Sequence, residues 1–438
     1  MARHVAVAGK KSFSRLIIRI AIVAVALSMT VMIISTSLIR GFKTEISEKI
    51  FAFWGHIHIT DTNITRNYES TPIEIEPELI EKIQGLEKVD YFTEKTFLNI
   101  PISDEMVQVE TKGGVRHIQS FAQIGGIISH KKEFEAIILK GVSTDFDWEN
   151  MKDYMVEGDI LDFPEEDPSE AIIISQSMAN RLRFKVKDKF IINFVRGKKP
   201  IRKRFQVSGI YKTGLEEFDK VFAITDLRKI QELLGWKNNE VGGFEVFIDD
   251  LDDLGPLNEY IYLEELPNNL FSQTIKDKIP DIFQWLGLQD INEVVILFLM
   301  VIVSVINMIT ALMILILERT NMIGILKAMG SSNWNIRKIF LYYAAYIVLM
   351  GLFWGNFFGL GLCLAQQQFE FIALSEADYY LSTAPIEINL WTIFLLNLGT
   401  LLITVLVLVI PTYMITSCLL YTSPSPRDRT RSRMPSSA

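Results

Sequence analysis

The sequence predicts a membrane α-helical protein with four transmembrane helices and a large extracytoplasmic α+β domain between the first and second helices. The prediction rests on where the apolar residues lie. The chain has 438 residues, 49% of them hydrophobic, and its longest apolar stretches form four separate blocks. These blocks are residues 16–39, 294–317, 339–365 and 390–415. One long polar insert, residues 40–292, separates the first block from the second.

Each apolar block is long enough to cross a bilayer. A helix of about 24 residues is ~36 Å long, and the hydrocarbon core is ~30 Å thick. The first block is longer than the apolar region of a cleavable signal peptide, which has ~7–15 residues. We therefore expect the first block to remain as a membrane anchor, followed by three more transmembrane helices.

The charged residues around the blocks predict the orientation. Basic residues cluster before or just within the first block, at Arg3, Lys10, Lys11, Arg15 and Arg19. Loops rich in Lys and Arg stay in the cytoplasm, so residues 1–15 are predicted to be cytoplasmic. Residues 366–389 carry acidic side chains and no Lys or Arg, which places them outside. Both termini are then cytoplasmic, and residues 40–292 are periplasmic.

The insert of residues 40–292 reads as a mixed α+β domain. Strands are predicted at 56–60, 171–175, 190–194, 205–210, 221–224 and 244–248, and helices at 77–84, 177–182, 226–234 and 251–263. His56 and His58 alternate on one face of the first of these strands. Two such histidines can share a metal, but no Cys or third His lies nearby, so a packed or hydrogen-bonded pair is favoured.

A short amphipathic helix is predicted at residues 318–330, in the loop of residues 318–337 between the second and third spans. Its apolar residues recur at helical spacing and share one face: Met322, Ile325, Leu326 and Met329. Thr320 is expected to cap the start, and Gly330 to end the helix in the left-handed conformation. Ser331, Ser332 and Asn333 are expected to cap the next helix.

Such a helix can rest on the membrane surface or dock into a groove of a partner. Periodicity alone favours the membrane surface. Basic residues around the helix place the loop in the cytoplasm: Arg319, Lys327, Arg337 and Lys338.

Small and polar residues mark specific points within the spans. Gly351, Gly355 and Gly359 repeat every four residues and form a smooth stripe for close helix packing, either within the chain, which is favoured, or at a subunit interface. One asparagine lies in each of the last three spans, at Asn307, Asn356 and Asn397. Hydrogen bonds between helices are favoured for these amides, and the alternative is that they line a substrate path.

The sequence shows no motif for catalysis or for cofactor binding. It contains no phosphate-binding loop, no G-x-S-x-G, no H-E-x-x-H and no glycine-rich dinucleotide loop. The formal net charge of −8 argues against nucleic-acid binding. We therefore expect no catalytic, cofactor or metal site in this chain. Residues 417–438 are rich in Ser, Pro and Arg without an apolar period, and are expected to be a disordered, non-native tail.

The order of these features resembles the four-helix ABC permease superfamily, of the FtsX-like and MacB type. The segment ILFLMVIVSVINMITALMILILERTNMIGILKAMGSSNWNIRKIF is similar to the most specific part of that superfamily. Three stretches resemble the lipoprotein-releasing (Lol) branch. They are GFKTEISEKIFAFWGHIHI, KGVSTDFDWENMKDYMVEGDIL and FQVSGIYKTGLEEFDKVFAITDLRKIQELLGW.

The resemblance implies that residues 318–330 form a coupling helix that docks into a separate ATPase, rather than a helix that rests on the membrane surface. The residues it assigns to ATPase coupling are Glu318, Arg319, Met322, Ile323, Gly324, Ile325, Leu326, Lys327, Ala328, Met329 and Gly330. It also implies that the first two spans line a path for a lipid-anchored substrate. Candidates for that path are Met29, Met32, Met300, Met308 and Asn307, with ordinary packing or lipid contact as the alternative.

The function implied is that of a permease subunit in the bacterial inner membrane, in an ATP-driven complex that extracts lipoproteins and passes them to a periplasmic carrier. The large domain would be a MacB-like periplasmic core domain. Implied partners are an ABC ATPase dimer that binds ATP and Mg, a second permease copy or paralogue, the lipoprotein, the carrier and membrane lipid. Two alternatives remain open: an FtsX-like signalling permease that controls a cell-wall hydrolase, and a MacB-like efflux permease for small molecules or peptides.

Overall fold

The structure is a computed structural model that describes residues 2–63, 69–97, 100–130, 133–165, 167–196 and 199–413. The tail predicted at 417–438 lies outside these residues. The chain divides into two compact units. One consists of residues up to Lys43, Trp285–Ala373 and residues from Thr383; the other consists of Thr44–Gln284 and Leu374–Ser382.

Both units are built from the following elements. The helices are α1 (Ala2–Trp54), α2 (Pro77–Gln84), α3 (Trp148–Lys152), α4 (Gln176–Leu182), α5 (Glu216–Asp219), α6 (Leu227–Leu234), α7 (Leu254–Tyr260), α8 (Ile275–Lys278), α9 (Pro280–Glu318), α10 (Thr320–Ala328), α11 (Asn333–Phe369), α12 (Glu376–Tyr379) and α13 (Leu390–Thr412). The strands are β1 (Ile57–Asp61), β2 (Ile73–Glu74), β3 (Asp90–Phe97), β4 (Ile100–Glu110), β5 (Val115–His130), β6 (Glu133–Val142), β7 (Met155–Gly158), β8 (Ala171–Ser175), β9 (Lys189–Arg196), β10 (Lys199–Tyr211), β11 (Phe222–Asp226), β12 (Glu240–Val241), β13 (Gly243–Ile248) and β14 (Leu270–Thr274).

The first unit is a helix bundle. Among the described residues, α1, α9, α11 and α13 are long and apolar enough to cross a membrane. They share one buried cluster that includes Met29, Met308, Phe340, Val348 and Leu408. The predicted spans 16–39, 294–317 and 339–365 lie within α1, α9 and α11, and α13 covers the predicted fourth span from Leu390 to Thr412.

Two of the spanning helices extend well beyond their apolar blocks. Helix α1 continues to Trp54, and α9 already begins at Pro280. Between residue 39 and Trp54 there is no Pro, and the only glycine is Gly41, so nothing stops the helix when the sequence turns polar. It ends where Gly55 adopts a positive φ of 69°.

The second unit is an α+β domain with a ten-stranded sheet in the order β14-β1-β13-β5-β6-β11-β8-β10-β7, with β9 pairing with both β10 and β5. The pairs β6–β11 and β8–β10 are parallel, and the other pairs of this sheet are antiparallel. β3 pairs with β4, and β2 with β12, in two separate ribbons. The fold class, four membrane helices with an α+β domain between the first two, is thus confirmed.

Local sequence explains several of these elements. β8 matches the predicted strand at 171–175, and its run Ile172, Ile173 and Ile174 is fully buried, which is typical of a strand between two others in a covered sheet. Helix α6 begins where the Asp226 carboxylate accepts from a backbone N–H of the first turn, and ends at Gly235 with φ 65°.

The region of residues 90–142 was not predicted to contain regular structure, yet it forms four strands. β5 and β6 pair along ten residues from Phe121 to His130. Gly125, Gly126 and interspersed polar residues interrupt the alternation of β5. The pairing with β6 and β13 supplies the stability that the local pattern lacks.

Candidate functional site

Helix α10 forms the connection between α9 and α11, and its start differs from the prediction. Only Arg319 separates α10 from α9, and Thr320 is already the first helical residue. The Thr320 hydroxyl donates to the Leu317 carbonyl oxygen at 3.2 Å instead of capping the helix. The prediction that Thr320 caps the start is therefore wrong, because so short a connection leaves no extended residue for the capping position.

The end of α10 is built as predicted. Gly330 has a φ of 87°, and its N–H donates to the Lys327 carbonyl at 2.9 Å. The Ser331 N–H donates to the Leu326 carbonyl at 3.0 Å, which completes a Schellman motif. The Ser332 hydroxyl then accepts from the Asn335 N–H at 3.3 Å and caps α11. These contacts hold the turn between α10 and α11 in one geometry.

The predicted single apolar face of α10 is divided between two surfaces. Met322 and Leu326 pack, partly buried, against the core of the helix bundle, and Ile323 is buried in it. Ile325 and Met329 point away, with 62% and 69% of their surface exposed. The four residues lie at i, i+3, i+4 and i+7 of an observed helix, but they do not share one environment, because the bundle covers the edge of that face that carries Met322 and Leu326. Ile325 and Met329, one turn apart, remain as an exposed apolar pair.

The other residues assigned to coupling lie around this pair. The exposed ones are Glu318, Arg319, Ala328 and Gly330, and the half-buried ones are Gly324 and Lys327. Close by in sequence, the Arg337 guanidinium lies 3.9 Å from the ring centre of Tyr413, at the described end of the fourth span. The loop therefore presents apolar and cationic groups together.

The glycine stripe of α11 lies against α1. A Cβ added to Gly351 would meet the Val25 Cβ at 2.6 Å, and one added to Gly355 would meet the Met29 Cβ at 2.6 Å. At Gly359 the nearest atom is the Ile33 Cδ1, at 3.1 Å. In this structure the three glycines thus form a contact within the chain, and both helices run in the same direction along it.

The candidate path residues lie inside the bundle. Met29, Met32 and Met308 are fully buried, and Met300 is partly buried against the same core. Asn307 is half-buried on α9. In the single chain Met29, Met32 and Met308 pack in the core of the bundle, and an acyl chain would reach these three only if the helices moved apart.

Two of the three asparagines in the spans hydrogen-bond to each other. The Asn356 amide donates to the Asn397 oxygen at 2.7 Å, and the Asn397 amide donates back at 3.0 Å. Each amide also donates to a carbonyl one turn earlier in its own helix. The favoured interpretation, a hydrogen bond between helices, is confirmed for this pair.

The α+β domain contains a buried ionic cluster that the sequence analysis missed. The Lys140 ammonium lies 2.7 Å from a Glu245 carboxylate oxygen, and both side chains have no exposed surface. Lys140 also donates to the Phe53 carbonyl in the last turn of α1. The Gln119 amide donates to Glu245 at 2.7 Å. A clue was present, since both ionic residues interrupt apolar strand sequences, AIILKGV and GFEVFI.

His58 extends this cluster to a second lysine. Its Nε2 donates to the Trp54 carbonyl at 2.6 Å, and its Nδ1 accepts from the Lys278 ammonium at 2.9 Å. Burial, and then the neighbouring lysines, hold the pKa of His58 well below its usual value, which keeps the ring neutral. Burial also lowers the pKa of Lys278 to about 8, against the attraction of Glu245.

His56 is also a structural residue. Its Nδ1 accepts from the Ile248 N–H at 2.8 Å, and burial lowers its pKa to about 3. Among the described residues there is no group of three or more metal-ligating side chains. The favoured interpretation of the two histidines, packed and hydrogen-bonded side chains, is confirmed.

Comparison with known families identifies the architecture. The model described as "MacB-like periplasmic core domain" matches residues 20–261, which is 242 of the 438 residues. The model described as "FtsX-like permease C-terminal" matches residues 294–418. The chain belongs to the FtsX-like permeases with a MacB-like periplasmic core domain. This permease is therefore a multi-pass transmembrane subunit of the ABC type, as the resemblance implied.

The permease is similar to curated relatives along most of its length. It is 22% identical to "Lipoprotein-releasing system transmembrane protein LolC" of Buchnera aphidicola subsp. Schizaphis graminum, with 90% of each chain covered. It is also 22% identical to "Lipoprotein-releasing system transmembrane protein LolE" of Haemophilus influenzae, with 87% of each chain covered. A solved extracellular domain of the noncanonic ABC-type transporter YknZ from Gram-positive bacteria is 16% identical, with a TM-score of 0.30. The match covers 50% of this chain and 99% of the solved domain.

Proposed function

We propose that the permease is the membrane subunit of an ATP-driven complex that extracts lipoproteins from the bacterial inner membrane and passes them to a periplasmic carrier. The proposal rests on the exposed pair Ile325 and Met329, which has the spacing of anchors for a partner's groove. The names of the curated relatives supply the substrate class.

The partner at α10 is proposed to be an ABC ATPase dimer, which would bind ATP and Mg. The inner side of α10 supports this, because Ile323 is buried in the helix bundle and Met322 and Leu326 pack against it. The turn to α11 is held by two backbone hydrogen bonds and the Ser332 cap. A force applied to the exposed side of such a helix moves α9 and α11 with it.

The orientation follows from the distribution of charge. Basic residues surround α10 and precede the first span, whereas residues 366–389 contain none. We therefore propose that α10 and both termini lie in the cytoplasm and that the α+β domain is periplasmic. A second permease copy or paralogue would complete the substrate path, since Met29, Met32 and Met308 are buried within the single chain.

The test is the change Ile325→Asp in the full-length permease. A buried charge would oppose docking, so we expect copurification with the ATPase to fall at least tenfold while the amount in the membrane stays unchanged. Asn335→Asp is the matched control, because it places the same charge on an exposed residue of the same cytoplasmic region but outside α10. Normal copurification of the Ile325→Asp protein would contradict docking through this face.

The substrate class needs a separate measurement. In the reconstituted complex, we expect a purified lipoprotein to stimulate ATP hydrolysis and the same protein without its lipid anchor to have no effect. Stimulation by a cell-wall hydrolase instead would favour the signalling alternative.

A further inference from the structure

An apolar groove lies in the helix bundle between α1 and α11, apart from the residues proposed for coupling. Its volume is about 710 Å³. It is lined by Arg19, Ile22, Val23, Ala26, Leu27, Thr30, Trp354, Phe358 and Leu362. The Thr30 hydroxyl donates to the Gly355 carbonyl at 3.1 Å, so its polar group is already satisfied. Arg19 is then the one charged group among the lining residues.

Arg19 is unusual in the whole sequence. It is the only charged residue in the four apolar blocks, which contain no Asp, Glu or Lys and no other Arg. Its side chain is exposed, and among the described residues no carboxylate forms an ion pair with it. A charge at membrane depth is costly unless it is paired or reaches the interface.

The position of Arg19 relative to the groove matches the shape of a lipid. From Arg19 to Thr30 the helix advances eleven residues, or about 16 Å at ~1.5 Å per residue. That is close to the depth of one leaflet, which is half of a hydrocarbon core of ~30 Å. Arg19 lies three residues inside the first block, so its guanidinium can reach the level of the headgroups. An acyl chain of the same lipid would then lie along the groove.

We propose that this groove binds an anionic phospholipid, with an acyl chain along Val23, Leu27 and Phe358 and the phosphate on the Arg19 guanidinium. Basic pockets between membrane helices bind anionic headgroups, and arginine binds phosphate through two parallel hydrogen bonds. A second copy of the chain does not fit this role, because its four apolar blocks carry no carboxylate to pair with Arg19 within the membrane.

The experiment uses the full-length permease, delipidated in detergent and examined by native mass spectrometry. Phosphatidylglycerol and phosphatidylcholine with the same acyl chains compete at equal concentration, and diacylglycerol is tested separately. We expect about fivefold preference for phosphatidylglycerol, the size of one basic contact at a membrane surface. Diacylglycerol is expected to bind more weakly than either phospholipid.

Variants assign the binding to the groove. Arg19→Gln should abolish the preference, and Arg19→Lys should retain much of it. Arg40→Gln is the matched control, since Arg40 lies on the same helix but does not line the groove, and it should keep the full preference. Leu27→Trp fills the groove from an exposed position and should lower retention of both phospholipids at least threefold.

Several results would overturn the proposal. They are equal binding of the two phospholipids by the unaltered protein, an unchanged preference in Arg19→Gln, equal binding of diacylglycerol, and unchanged retention in Leu27→Trp. Lipid retention is read without the ATPase, so these results are independent of the proposed transport function.

Discussion

The two units of the permease bury polar groups in different ways. In the helix bundle, Asn356 and Asn397 form a neutral pair in which each amide donates to the other. In the α+β domain, Lys140 and Glu245 are buried and Lys278 is half-buried beside them, a cluster with one more cation than anion when all three are ionised. The amide pair needs no further partner, whereas the ionic cluster depends on the groups around it.

The difference shows what each environment permits. In lipid an amide pair satisfies itself without a net charge. In the domain, the carbonyls of Phe53 and Trp54 at the end of α1 accept from Lys140 and His58. The carboxyl end of a helix carries roughly half a negative charge, which offsets part of the excess cation. The ionic cluster therefore depends on the end of α1, and the amide pair does not.

The largest expected effect comes from removing the only carboxylate of the cluster. Glu245→Leu leaves the buried Lys140 and the half-buried Lys278 without a counterion, so the domain should lose about 3–5 kcal/mol of unfolding free energy. The measurement is pulse proteolysis of the full-length protein in urea. Glu259→Leu, at an exposed residue of α7, is the control and should change stability by less than about 0.5 kcal/mol.

A double variant separates ion pairing from shape. If the loss reflects an unpaired charge, adding Lys140→Met to Glu245→Leu should recover part of it. No recovery, together with a loss below about 1 kcal/mol for Glu245→Leu, would mean that the cluster is not held by charge.

The next effect is a dependence on pH. Lys278 has a pKa of about 8 in the folded protein and 10.5 as an ordinary lysine. Between these values the unfolded chain binds more protons, so stability rises with pH, by at most about 1.4 kcal/mol per pH unit. Below pH 8 both states are protonated and the burial of the charge opposes folding in full.

The measurement compares unfolding of the natural protein with Lys278→Met from pH 7 to pH 10. The natural protein should gain stability relative to the variant as the pH rises above 8. A difference between the two that does not change with pH would show that Lys278 titrates at its ordinary value.

The smallest effect is expected in the bundle. Asn356→Leu strands the partner amide and should cost about 0.6–1.7 kcal/mol, the range found for hydrogen bonds between membrane helices. A double-mutant cycle with Asn397→Leu, followed by steric trapping or unfolding in detergent, measures the coupling. A coupling energy near zero would show that each amide is satisfied by the carbonyl one turn earlier in its own helix.

Much of the fold could be predicted because its signals are local. The four apolar blocks were identified by length and composition alone. The run Ile172–Ile174 predicted a strand, and Gly330 and Ser332 predicted the end of α10 and the cap of α11, since the required residue types are specific to those conformations. The strands of residues 90–142 could not be predicted, because their stability comes from partners distant in sequence.

The candidate coupling site was predicted in part. Periodicity found α10 but grouped Ile325 and Met329 with Met322 and Leu326, because a helical pattern reports apolar residues without showing which neighbour covers them. The start of α10 was misplaced because the pattern does not reveal that α9 continues to Glu318.

The sequence by itself determined that this chain crosses a membrane, carries an α+β domain after its first span, and places a short helix with basic neighbours between two later spans. These properties follow from runs, charges and turn residues that act over a few positions. Only the tertiary structure decided which side of α10 is free, that Lys140, Glu245 and Lys278 come together near the end of α1, and that Arg19 lines an apolar groove. Burial and charge pairing depend on contacts between segments far apart in the chain, and no local pattern encodes them.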